Sequence, residues 1–142
     1  GLDVDRIWAV LRDSGFEARV TDAAEIARER LVLLLRHLAS GVTVNLSLGR
    51  MPFERDAMER ATTVDLAGVR VPAATPEDPV VLKAVAWRGI DRSDITELIV
   101  RHHAAMNFQR IRSTLAQFFD VLEMPERLAD FDRLVSDALT DR

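Results

Sequence analysis

Cysteine is absent from this 142-residue chain. That excludes disulfides, a thiol nucleophile and a thiolate metal site. Tyrosine is absent as well and aromatics make up only 6% of the residues, so stacking platforms for nucleic-acid bases are not advertised. No apolar run approaches the ~20 residues of a membrane-spanning helix. The most apolar stretch, Leu31 to Leu35, has the length of a strand and is bounded by Arg30 and Arg36. No N-terminal segment has the charged-then-apolar layout of a signal peptide, so the expected compartment is the cytoplasm. Positive charge is not in excess either. The formal net charge of −4 argues against general nucleic-acid binding.

Other motifs are missing. There is no P-loop, no dinucleotide fingerprint and no Gly-x-Ser-x-Gly elbow. The three histidines stand as His37 and the pair His102-His103, too few ligands at sensible spacing for a zinc site. His102 and His103 are expected at a helix C-terminus, where the dipole favours a cation.

Lysine is almost absent, and its one occurrence is informative. Lys83 is the only lysine; the other eighteen of the 19 Lys+Arg are arginine. It lies inside an apolar run, VVLKAVAW, at a position that calls for a compact ammonium rather than a planar guanidinium fork. On a continuous helix Lys83, Trp87, Asp91 and Asp94 share one face, with Gly89 as the point where that helix breaks. One reading of Lys83 is structural, an internal pair with Asp91 or Asp94. The other is functional: Asn45, Lys83, Asp91 and Asp94 form a constellation able to hold a divalent metal and an anionic phosphate group.

What is present is the composition of one globular domain, 48% hydrophobic and 30% charged, long enough to bury a core. Asp3 or Asp5 caps a first helix running to about Ser14, with Ile7, Trp8, Val10 and Leu11 inward. A short strand over Phe16–Val20 precedes a helix that starts at Thr21-Asp22. Leu31–Leu38 reads as a strand covered on both faces. Gly41–Leu48 alternates, with Val42, Val44, Leu46 and Leu48 on one face and Asn45 on the polar one. Pro52–Arg60 is an amphipathic helix with Phe53, Ala57 and Met58 inward. Thr62–Leu66 and Val69–Pro72 form a hairpin around Ala67-Gly68.

The remainder is helical. Asp78 is the expected N-cap of the central helix, with Pro79 at its first position. Ser93–His103 continues helical, Asn107 caps Phe108–Leu122, and Pro125 starts a last helix with Leu128, Phe131, Leu134, Val135 and Leu139 at helical spacing. This order defines an α+β class: a small mixed or antiparallel sheet, with sheet and helices over 1–74 and a helical part over 75–142.

The run from Val42 onward resembles the nucleotidyltransferase superfamily, in the branch around minimal nucleotidyltransferases and AbiEii-type toxins. The resemblance rests on an ordered series. It comprises the strand Val42–Leu48, then Pro52-Phe53-Glu54, Val71-Pro72, Pro76-Glu77-Asp78, Lys83 and the acidic signature from Arg88 through Asp94. It covers most of residues 1–100. The resemblance implies transfer of a nucleoside monophosphate from a nucleoside triphosphate to a hydroxyl of protein or RNA, with Mg²⁺ aligning the phosphates. It implies a triphosphate contact at Lys83 with Arg88 and Asp91 beside it, Asp94 against that lysine or the nucleotide, and Asn45 at a catalytic, metal-facing strand position.

Two departures matter. The Gly-Ser helix start and strand-borne D-x-D pair of such enzymes do not occur, since Asp3 and Asp5 lie too close to Gly15-Phe16. Asn45 stands where the family has a third carboxylate, and an amide neither neutralises a metal's charge nor acts as a base. The chain is therefore expected to be catalytically impaired. The alternative is a non-catalytic module that binds a nucleotide or a protein, and a toxin–antitoxin role fits either reading.

Overall fold

A computed structural model describes residues 3–49 and 51–140. The fold is α+β: among the described residues seven α-helices accompany two small antiparallel sheets. The chain divides into two compact units, residues 1–55 and 56–142.

In the first unit, α1 (Val4–Asp13) is capped by Asp3, whose carboxylate accepts from the Arg6 N–H at 3.0 Å. Asp5 instead pairs with Arg28 of α2 (Ala23–Arg30). The strands β1 (Phe16–Ala18), β2 (Val32–His37) and β3 (Thr43–Ser47) form one sheet in sequence order. The register sets Leu33 opposite Leu46 and Leu35 opposite Val44. Those four therefore share the face that carries the core. Leu33 and Leu35 are fully buried with Val4, Ala23, Ala27 and Leu48, and Ile7, Trp8 and Leu11 of α1 pack on that cluster.

One expectation fails here: Val10 is exposed rather than inward. Val44 keeps the face its alternation gives it but, like Val42, is exposed. β3 is an edge strand, so period-2 patterning identifies its face without supplying a neighbour to cover it. β2 is the centre of the sheet, but its second face (Val32, Leu34) is only half-buried.

The boundary between the units falls within α3 (Pro52–Arg60). Met58, expected inward, is 77% exposed, whereas Phe53 and Ala57 are half-buried. The second unit continues with the hairpin β4 (Thr62–Leu66) and β5 (Val69–Ala73). Its two turn residues, Ala67 and Gly68, both have positive φ. That is the backbone demanded by a tight two-residue turn matched to the strand twist. The Gly68 N–H donates to Asp65 at 2.8 Å.

Four helices complete this unit: α4 (Glu77–Ala86), α5 (Gly89–His102), α6 (Phe108–Val121) and α7 (Arg127–Thr140). α4 packs on α5 and α6, and α7 packs on both α5 and α6. Val80, Val81 and Ala84 of α4, Ile95 and Ile99 of α5, Ile111, Leu115 and Phe119 of α6, and Phe131 of α7 form the buried interior. In α7 Ala138 is buried and Leu139, expected inward, is exposed.

One helix start agrees with expectation and another differs. Asn107 caps α6 by accepting from the Arg110 N–H. Asp78, however, is not a cap; α4 begins at Glu77 and Asp78 lies inside its first turn. Its carboxylate is buried against Arg60 (2.7 Å) and the Thr75 hydroxyl (2.9 Å). Glu77 is buried beside it, accepting from the Asn107 N–H and pairing with Arg110. Burial pushes the Glu77 carboxyl up. The N–H groups of Glu77 and Asn107, the Thr75 hydroxyl and the Arg110 charge outweigh that and hold it below the usual range. These two acids tie the start of α4 to α3 and α6.

Candidate functional site

The α4–α5 corner is made at Trp87, not at Gly89. Trp87 takes a left-handed backbone (φ 53°) and its N–H donates to the Lys83 carbonyl, closing α4. Such a backbone is strained for a bulky side chain, and the guanidinium of Arg127 lies 5.4 Å from the ring centre, a cation–π distance. Gly89 is simply the first residue of α5.

Arg88 and Asp91 restart the chain as a helix. The Asp91 carboxylate accepts from the Arg88 N–H at 2.9 Å and from its guanidinium at 2.7 and 3.0 Å, so all three bonds run from Arg88 to Asp91. Asp91 is 1% exposed. The Arg88 hydrogen bonds bring its carboxyl down to about 2, against the upward push of burial and with help from the Arg88 and Lys83 charges. The same contact raises the Arg88 pKa. Both side chains are engaged with each other at the helix start.

Because the helix breaks between Lys83 and Asp91, the four residues expected on one face do not form a stripe. Lys83 and Asp94 meet nonetheless. They sit on different helices and pair across the corner, Nζ to Oδ2 at 2.6 Å, each about one-third exposed (32% and 36%). Asp94 rather than Asp91 is the lysine's direct partner.

This pair lies in the wall of an open pocket of about 310 Å³. α4 contributes Pro79 and Lys83, one turn apart. α5 contributes Asp94, then Glu97 and Leu98, then Arg101 and His102. Those positions are i, i+3/i+4 and i+7/i+8, so a single stripe of α5 faces the pocket. Arg101 pairs with Glu97 at 2.5 Å. His102 is the last residue of α5.

No motif marks Glu97 and Arg101 in the sequence; what points to them is the continuation of the Asp94 face along the helix.

Asn45 belongs to the first unit, on the sheet face opposite the core. Its Oδ1 accepts from the Arg19 guanidinium at 3.0 Å. A divalent cation at that oxygen would have to displace a positive charge. Among the described residues no three His, Asp or Glu side chains are grouped so as to hold a metal ion.

No helix among the described residues is long and apolar enough to cross a membrane. No protein-family model matches the chain, and no curated protein matches it. The nucleotidyltransferase resemblance rests on its motif series alone.

Proposed function

We propose that this chain is a nucleotide-binding module of nucleotidyltransferase lineage, impaired in transfer, that receives the phosphates of a nucleoside triphosphate in the α4–α5 pocket. The observation that carries the reading is the meeting of Lys83 and Asp94. They lie eleven residues apart on separate helices, yet pair in a pocket that also presents Arg101 and His102. The resemblance implies a lysine on this helix as the triphosphate contact and an acid of the later signature set against it. A pocket of this volume lies at the small end of ligand sites.

Lys83 supplies the point charge for phosphate, and Arg101 and His102 add donors along the same stripe. Pro79 and Leu98 give an apolar wall for the base or ribose. Magnesium enters this reading as the counterion that accompanies the triphosphate. A cytoplasmic setting, a protein or RNA acceptor in the ancestral reaction, and a toxin–antitoxin context belong to the same proposal.

Calorimetric titration with ATP, GTP, CTP and UTP, with and without Mg²⁺, tests it. Binding by the wild type and its loss in Lys83→Ala are the expected results. A folded protein that binds none of the four would refute the reading.

A further inference from the structure

Every arginine or lysine lining the pocket already has a carboxylate: Lys83 has Asp94 at 2.6 Å, and Arg101 has Glu97 at 2.5 Å. The two cations and two carboxylates of these pairs cancel. An incoming phosphate group meets no net attraction until one of those pairs opens. We infer that Asp94 is a built-in competitor for the ligand's phosphate: it occupies the Lys83 ammonium, and binding proceeds by exchange of that carboxylate for a phosphate oxygen. The inference rests on the nucleotide reading above and adds how the same site is regulated.

The placement of the pair supports exchange over a permanent strut. Both side chains are about one-third exposed, so a displaced carboxylate regains water rather than being left buried and bare. They belong to two helices joined only by Trp87 and Arg88. Asp91, in contrast, is locked by three hydrogen bonds from Arg88 and is buried. Two acids of one signature thus have different duties: Asp91 fixes the start of α5, and Asp94 holds the ammonium on loan. Arg101 and Glu97 are both exposed and add a weaker version of the same competition.

The consequence is a signature opposite to that of an ordinary contact residue. Removing a binding residue weakens affinity; removing a competitor strengthens it. Inorganic triphosphate isolates the phosphate part and is the probe, alongside the four nucleotides. Asp94→Asn keeps the size of the side chain and one acceptor oxygen while removing its charge. It should bind inorganic triphosphate about twofold to fivefold more tightly than the wild type, the range expected for releasing a partly exposed ion pair. Asp132→Asn, which removes the same charge from an exposed pair with Arg112 on α6 and α7, should match the wild type.

Equal or weaker binding by Asp94→Asn, with wild-type binding still abolished by Lys83→Ala, overturns the competitor and leaves the nucleotide reading standing. Absence of binding in both the wild type and Asp94→Asn overturns both. A second measurement needs no variant. On titration of the wild type, the side-chain carboxyl carbon resonance of Asp94 should move as its contact with Lys83 is lost. A resonance that stays fixed through saturation would overturn the exchange.

Discussion

Lys83 and Asp91 show how differently two charged residues can be held only eight positions apart. The Lys83–Asp94 pair is partly exposed, and pairs of this kind contribute at most about 1 kcal/mol. Lys83→Met should therefore leave the urea midpoint nearly unchanged or raise it slightly, even as nucleotide binding disappears. A loss of several kcal/mol would mean that the lysine is a structural member of the fold. Asp91 has the opposite profile. Its folded pKa, about 2, lies below the ordinary carboxylate value of 3.8, so its contribution to stability is fully present above about 3.8 and is lost as pH falls through about 2. The difference in melting temperature between wild type and Asp91→Asn should be constant at neutral and mildly acid pH. It should shrink between about pH 4 and pH 2. A difference that persists unchanged at pH 2 would contradict the assignment. From the sequence Lys83 and Asp94 were visible as candidates, but their pairing was one of two options. The choice depends on where the helix breaks, and Trp87 in a left-handed backbone is not a residue that sequence preference selects.

At the scale of elements, patterning was a good guide to what forms and a poorer one to what covers it. The hairpin and α3 fall where turn chemistry and periodicity place them, because Ala67-Gly68 and Pro52 act locally. Asp before Pro is a strong local signal for a cap, yet the Asp78 carboxylate is used by Arg60, eighteen residues away. Period alone points Met58, Val10 and Leu139 inward, and period cannot say how wide a neighbouring element is. Nor could it announce the buried acids of α4. Truncating Glu77 would take away the ion-pair partner of Arg110 and the acceptor of the Asn107 N–H. Glu77→Ala should accordingly cost about 3 kcal/mol or more by denaturant unfolding. Asn107→Ala, which removes only the α6 cap, should cost about 1 kcal/mol. If the two variants proved equal, the buried acid would be no more than a cap.

Across the whole molecule, each unit has its own buried cluster, one centred on Leu33 and Leu35 and the other on Ile95, Ile99, Leu115 and Phe119. The sequence suggested a single domain because no linker-like segment interrupts it, and the division within α3 leaves no compositional trace. Separate cores imply separable stability. Leu33→Ala should lower amide protection chiefly in β1, β2 and β3, and Phe119→Ala chiefly in α4 to α7, each by about 2–5 kcal/mol where it acts. Hydrogen exchange resolved by residue would show it, and a uniform loss along the chain from either substitution would mean that the units open together.

The scarcity of lysine has a practical consequence. Apart from the α-amino group of the chain, the protein has one primary amine, and it faces the pocket. An amine-reactive reagent therefore becomes a reporter for this one place, read by mass on a single peptide without any substitution. Ligand present during labelling should shield Lys83 and spare the α-amino group as an internal reference.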